Sequence, residues 1–118
     1  MTTEDRQVAL RLVVSACEAL LNKGRPLNVS TGLCAEVWYY FGEHGMAAEY
    51  SRDILHDAFA TWPEYSGELA YPVPNAEYGE VAAYCEHREH LWDKDTEYGK
   101  CRWRLVEWVR DFAQLRLI

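Results

Sequence analysis

Apolar residues recur every three or four positions along most of this chain, and this spacing constrains the fold more than any other feature. Such a pattern is typical of amphipathic α-helices that bury one face. It is broken over residues 63–79, where three prolines and two glycines stand among tyrosines. A length of 118 residues suits one domain with one core. The sequence therefore predicts a mainly α fold: a single helical domain over residues 1–118, a bundle of about five helices with one long irregular Pro/Tyr-rich loop at about 63–79.

Capping residues and glycines predict where the first two helices begin and end. The first helix is capped by Thr2 or Thr3 and stops at Gly24, because glycine readily adopts the left-handed conformation that ends a helix. The second helix carries a stripe that includes Val37 and Phe41. Its candidate N-caps are Asn28, Ser30 and Thr31, and the glycines that close it are Gly42 and Gly45.

Three further helices are predicted by the same reasoning. The third runs from about Met46 to Thr61 and ends at Trp62-Pro63, since the residue before proline is pushed out of the helical region. The fourth begins at Asn75 and extends through Leu91. The last follows Thr96, and its apolar stripe is Cys101, Leu105, Val106, Val109, Phe112 and Ala113.

The net charge of −7 is concentrated in the middle of the chain. Residues 26–87 carry ten Asp and Glu against a single basic residue, Arg52. A surface of this kind repels phosphate backbones and attracts cationic partners. We therefore expect no direct binding of nucleic acid, and an outward patch of carboxylates that meets a basic surface on a partner protein. The predicted partner-binding residues are Glu49, Asp53, Asp57, Glu64 and Glu68.

Aromatic residues make up 14% of the chain, more than a core of this size needs, so several rings should stay partly exposed. Exposed Trp and Tyr serve as anchors in a protein interface or as walls of a pocket for a flat ligand, whereas rings at the core edge need no such role. In the pocket interpretation, Arg102 binds an anionic group, because its planar fork suits phosphate or carboxylate. The predicted ligand-binding residues are Trp62, Ser66, Tyr71, Tyr98 and Arg102.

No motif predicts catalysis, a metal or a cofactor. Cys85, His87 and His90 supply two or three donors at most, and a solvated helix face accounts for them equally well. Neither Ser66 nor any of the four cysteines lies in a known nucleophile motif. The cysteines contain no Cys-x-x-Cys pair, so we expect reduced and mostly buried thiols.

The apolar runs of the sequence are short. The run from Val37 to Phe41 is far too short to cross a bilayer, and residues 1–5 lack the pattern of a signal peptide. The sequence therefore predicts a cytoplasmic protein that does not enter a membrane.

Several short motifs over roughly residues 30 to 110 resemble small uncharacterised accessory proteins of tailed phages and prophages. They are Gly32-Leu33-Cys34, Trp62-Pro63-Glu64-Tyr65-Ser66-Gly67, Tyr71-Pro72-Val73-Pro74, Leu91-Trp92 and Tyr98-Gly99-Lys100-Cys101-Arg102 with Leu105. The chain departs from the pattern at residues 94–96, where a glycine is expected soon after Trp92. The resemblance implies a phage protein that disables or redirects a host factor in the bacterial cytoplasm.

Three functional hypotheses follow from these patterns. The first is a non-catalytic protein that docks its acidic, aromatic surface on a basic site of a host protein, one form of which is a nucleic-acid mimic. The second is a binder of a small anionic ligand, such as a nucleotide, between the 62–74 loop and the last helix. The third is a small enzyme whose site is not evident in the sequence.

Overall fold

The computed structural model describes residues 2–25, 32–63, 92–95 and 97–118, with Glu97 and Tyr98 described by their backbone alone. Its helices are α1 (Thr3–Lys23), α2 (Leu33–Glu43), a 3₁₀ turn (Ala48–Ser51), α3 (Arg52–Thr61) and α4 (Glu97–Leu115). All regular secondary structure in these ranges is helical, which confirms the predicted mainly α class. The predicted helix from Asn75, and the irregular loop from residue 64 onward, lie outside the described residues.

Both ends of α1 form as the sequence predicts. The Oγ1 atom of Thr2 accepts a hydrogen bond from the backbone N–H of Asp5 at 3.0 Å and so caps the N-terminus. At the other end Gly24 has a φ of 74°, and its N–H donates to the carbonyl of Leu20 at 3.0 Å. This left-handed glycine turns the chain away from the helix axis and ends α1.

The N-terminus of α2 differs from the prediction. Its N-cap is Gly32, which makes no side-chain capping bond, and not Asn28, Ser30 or Thr31. The helix begins where Leu33 becomes buried, because burial of the apolar stripe stabilises a short helix more than one capping bond does.

The segment predicted as the start of the third helix forms a tighter turn. Ala47 is extended, residues 48–51 form a 3₁₀ turn, and α3 begins at Arg52 and not near Met46. The buried Ser51 hydroxyl donates to the carbonyl of Ala48 at 2.6 Å, and a bond of this i to i−3 span favours the tighter turn. The predicted end is confirmed, since Trp62 is extended before Pro63.

The longest helices, α1 and α4, pack antiparallel and contribute many of the buried residues of the core. At one end the side chain of Gln7 donates to the carbonyl of Arg116 at 3.3 Å and accepts from the N–H of Ile118 at 3.0 Å. At the other end Gly24 lies beside the ammonium of Lys94. All six predicted stripe residues of α4 are buried.

Two tryptophan N–H groups of α4 join it to α3 and to the backbone at Trp92. The indole of Trp108 donates to the carbonyl of Ala58 at 2.9 Å, which ties α3 to α4. The indole of Trp103 donates to the carbonyl of Trp92 at 2.9 Å, and the two rings meet edge to face. These bonds satisfy polar atoms that burial would otherwise leave without a partner.

Within the described ranges, no helix combines the length and the apolar character needed to cross a bilayer.

Two nearby glycines give opposite expectations for the same substitution. Gly45 has a φ of 74°, so Gly45→Ala should lower the free energy of unfolding by about 1 kcal/mol even though the added methyl meets open space. Gly42 lies inside α2, also in open space, so Gly42→Ala should raise that free energy by about 0.5–1 kcal/mol. Urea unfolding of both variants tests the pair, and equal effects would contradict the role of Gly45 in ending α2.

Candidate functional site

Three exposed carboxylates follow one another along the 3₁₀ turn and α3. We call Glu49, Asp53 and Asp57 the acidic strip. Asp53 and Asp57 are one helical turn apart, about 6 Å along the axis, and Glu49 stands four residues before Asp53. The buried residues of α3, which are Ile54, Leu55, Ala58 and Phe59, occupy the other side of the helix. The strip therefore faces away from the core.

The acidic strip is not neutralised by the described part of the chain. None of its carboxylates lies within 4.0 Å of a basic nitrogen belonging to residues 2–25, 32–63, 92–95 or 97–118. Arg110 of α4 pairs instead with its neighbour Asp111 at 3.0 Å, which raises the pKa of the Arg110 guanidinium. The described basic residues of α4 therefore form no ion pair with the strip.

A shallow groove lies between α2 and α3, next to the strip. This α2–α3 groove has a volume of about 80 Å³. Its lining is Cys34, Trp38, Arg52, Leu55, His56 and Phe59. On α3, Arg52 and His56 lie between the groove and the strip, because successive residues turn by about 100° around a helix. The groove and the strip are therefore adjacent parts of one surface.

Aromatic rings stand exposed on α2 beside this groove, as the composition predicts. Trp38 is 41% exposed and Tyr39 is 57% exposed. Trp92 and Trp103, in contrast, are buried and belong to the core. The chain therefore uses some of its aromatic residues for packing and presents others to solvent.

The carboxylates of the middle segment do not all share one patch. Glu43 is exposed at the end of α2, on another helix from the strip, and Glu36 is only 9% exposed. Glu64 and Glu68, predicted to bind the partner, lie outside the described residues. The patch that the structure describes thus holds three of the five predicted partner-binding carboxylates.

Two of the predicted ligand-binding residues lie in the interior. Trp62 is 4% exposed and Arg102 is 1% exposed. The guanidinium carbon of Arg102 lies 5.5 Å from the centroid of the Trp92 ring, so the cation sits over an aromatic face. Ser66 and Tyr71 lie outside the described residues, and only the backbone of Tyr98 is described, in α4. Trp62 and Arg102 therefore contribute to the core of the described structure.

Two of the described thiols, Cys17 and Cys34, have raised pKa values. Burial raises the pKa of Cys17 from 9.0 to about 12, although Arg110 lowers it slightly. Burial also raises the pKa of Cys34, with Arg102 opposing part of the effect. Cys34 and His56 line the same groove, but a nucleophilic cysteine needs a lowered pKa. Burial of Cys17 and Cys34 thus disfavours the thiolate form that nucleophilic chemistry requires.

Within the part of the chain that the structure describes, no three His, Cys, Asp or Glu side chains are grouped so as to hold a metal ion. Cys85, His87 and His90 lie outside that part.

A second groove, between α1 and α2, was not predicted from the sequence. This α1–α2 groove has a volume of about 170 Å³. Its lining is Ala16, Ala19, Leu20 and Lys23 of α1 with Glu36, Tyr40 and Glu43 of α2. The sequence carries one signal for it, the two alanines three residues apart on α1, since small side chains leave space where helices meet. That signal was insufficient, because the sequence does not say which helix packs there.

No protein family, curated protein or solved structure matches this chain.

Proposed function

We propose that this protein is a non-catalytic binding protein that docks its acidic, aromatic surface on a basic site of a host protein. The observation that carries the proposal is the acidic strip, whose three exposed carboxylates have no ion-pair partner among the described residues. Exposed charges that a chain does not neutralise itself attract an oppositely charged partner over about a Debye length, ~8 Å at physiological salt. The strip therefore favours fast, salt-sensitive association with a cationic surface.

The aromatic residues beside the strip can supply binding energy that exposed charges alone do not. Rim charges mainly accelerate association, whereas buried aromatic anchors contribute most of the binding energy. Trp38 lines the α2–α3 groove and is partly exposed, so a partner that covers the groove would bury its ring. Such an anchor contributes on the order of 2 kcal/mol or more when fully covered.

The proposed partner is a basic, nucleic-acid-handling or defence protein in the bacterial cytoplasm, which the resemblance to phage accessory proteins supports. Asp53 and Asp57 lie one turn apart on α3, and like phosphates they present negative charge at regular intervals to a basic surface. We propose that the strip competes with nucleic acid for the partner's basic site.

The test is affinity capture from bacterial lysate with mass spectrometry, followed by binding of the purified partner. The double variant Asp53→Lys/Asp57→Lys should weaken binding at least about tenfold at low salt, because two attractive contacts become repulsive. The matched control is Glu18→Lys/Glu107→Lys, which changes the net charge equally through exposed carboxylates of α1 and α4.

The control should bind within about twofold of the wild type, since the reversed charges lie on other helices. Binding of the wild type should also fall steeply between low and high salt. A complex insensitive to salt, or equal losses in the two double variants, would contradict docking through the strip.

A further inference from the structure

We infer that the α1–α2 groove receives an arginine side chain of the docked partner. This inference rests on the proposed function and adds a second, separate contact to it. The two grooves flank α2: Trp38 faces one, Tyr40 and Glu43 face the other, and the exposed ring of Tyr39 lies between them. A partner that covers the exposed side of α2 around Tyr39 therefore reaches both grooves.

The size of the α1–α2 groove suits one side chain. Its volume of about 170 Å³ lies below the roughly 300–1,000 Å³ of sites for drug-sized ligands. An apolar cavity of about 150 Å³ is large enough to hold benzene. The groove therefore has room for a single anchor residue, which is how interfaces concentrate binding energy.

The chemistry of the groove matches arginine in particular. Ala16, Ala19 and Leu20 give an apolar wall that can cover the aliphatic stem of a long cationic side chain. The ring of Tyr40 lines the groove and stacks on His44 by one face, with the ring centroids 4.1 Å apart. An aromatic ring is a surface that a planar guanidinium contacts favourably. Glu43 stands exposed at the groove and has no ion-pair partner among the described residues. Arginine, enriched at interface hot spots, satisfies all three features.

Lys23 allows the charge of the bound group to be tested, because it lines the same groove as Glu43 and carries the opposite charge. It forms no ion pair with Glu43, since the two charged groups do not come within 4.0 Å of each other. An incoming guanidinium is attracted by Glu43 and repelled by Lys23, whereas an anionic ligand would experience the reverse. Neutralising each residue separately therefore reports the sign of the bound charge.

The experiment is an NMR titration of the full-length protein with N-acetyl-L-arginine methylamide at low salt, with N-acetyl-L-leucine methylamide as the neutral probe. We expect saturable shifts of the Ala19, Tyr40 and Glu43 amides with the arginine probe, and weaker ones with leucine. Glu43→Gln should weaken binding by about two- to fivefold, and Lys23→Gln should strengthen it by a similar factor, the range of an exposed ion pair. Ala19→Leu, which fills the groove, should remove the shifts.

The matched control is Asp53→Lys/Asp57→Lys, which should keep its response to the arginine probe. Absent or unsaturable shifts, equal response to the two probes, or weaker binding in Lys23→Gln would each overturn the groove inference. Partner affinity that is unchanged in Ala19→Leu but lost on strip reversal would overturn this inference alone. The reverse pattern would overturn docking through the strip.

Discussion

Phe41→Ala is expected to lower the free energy of unfolding by about 3–5 kcal/mol, one of the two largest effects of any substitution considered for this protein. Phe41 is fully buried, and it lies in the last turn of α2. Its carbonyl also accepts the N–H of His44 at 3.1 Å and that of Met46 at 2.9 Å. Truncation removes the apolar contacts of the ring and leaves a cavity beneath the end of the helix. Since small domains are stable by about 5–15 kcal/mol, the variant should lose a large part of its stability.

The matched control is Tyr39→Ala, two residues earlier on the same helix. Tyr39 is exposed, so its truncation should change the free energy of unfolding by no more than about 0.5 kcal/mol. Urea unfolding followed by circular dichroism gives both values. Losses of equal size in the two variants would mean that the face of α2 assigned to the core is wrong.

Arg102→Ala is the second substitution with a large expected effect, a loss of about 3–5 kcal/mol in the free energy of unfolding. Its side chain is among the largest fully buried in the described structure, and its cation lies over the Trp92 ring. Truncating a long buried side chain costs about 2–5 kcal/mol, and a desolvated cation–π contact contributes about 2 kcal/mol. Arg104→Ala on the exposed face of α4 is the control, with a loss of at most about 1 kcal/mol.

A further variant separates packing from charge at this position. Arg102→Met keeps an unbranched side chain of similar length and removes the cation. A loss close to that of Arg102→Ala would mean that the charge dominates, and a much smaller loss that packing does. Arg104→Ala should leave the affinity for the partner protein unchanged. An Arg102→Ala variant as stable as the wild type would contradict an interior role for Arg102.

The position of Arg102 also shows where sequence reasoning about the site failed. The planar fork of its guanidinium predicted that Arg102 would bind an anionic ligand in a pocket. Arg102 instead occupies the interior, next to the stripe residue Cys101, with its cation over the ring of Trp92. The residue type of Arg102 indicated exposure. The structure instead places its cation over Trp92, which belongs to a separate segment. The sequence of α4 alone does not predict the contact between Arg102 and Trp92.

The acidic strip was easier to predict. The spacing of Glu49, Asp53 and Asp57 relative to the apolar stripe of α3 already puts them on the solvent side of any helix that buries Ile54 and Phe59. Their exposure therefore follows from periodicity. The lack of an ion pair between the strip and other described residues does not follow from periodicity. It depends on where the arginines of other helices point.

The sequence by itself determined the mainly α class, the N-cap of α1, its glycine stop and the end of α3 at Trp62. Each of these depends on interactions within a few residues, such as one side-chain hydrogen bond or one steric restriction on φ and ψ. Tertiary structure alone decided the interior place of Arg102, the exposure of Trp38 and the two grooves beside α2. These features depend on which helices meet and how closely, and packing between distant segments is set by the summed contacts of the whole core, which no local pattern contains.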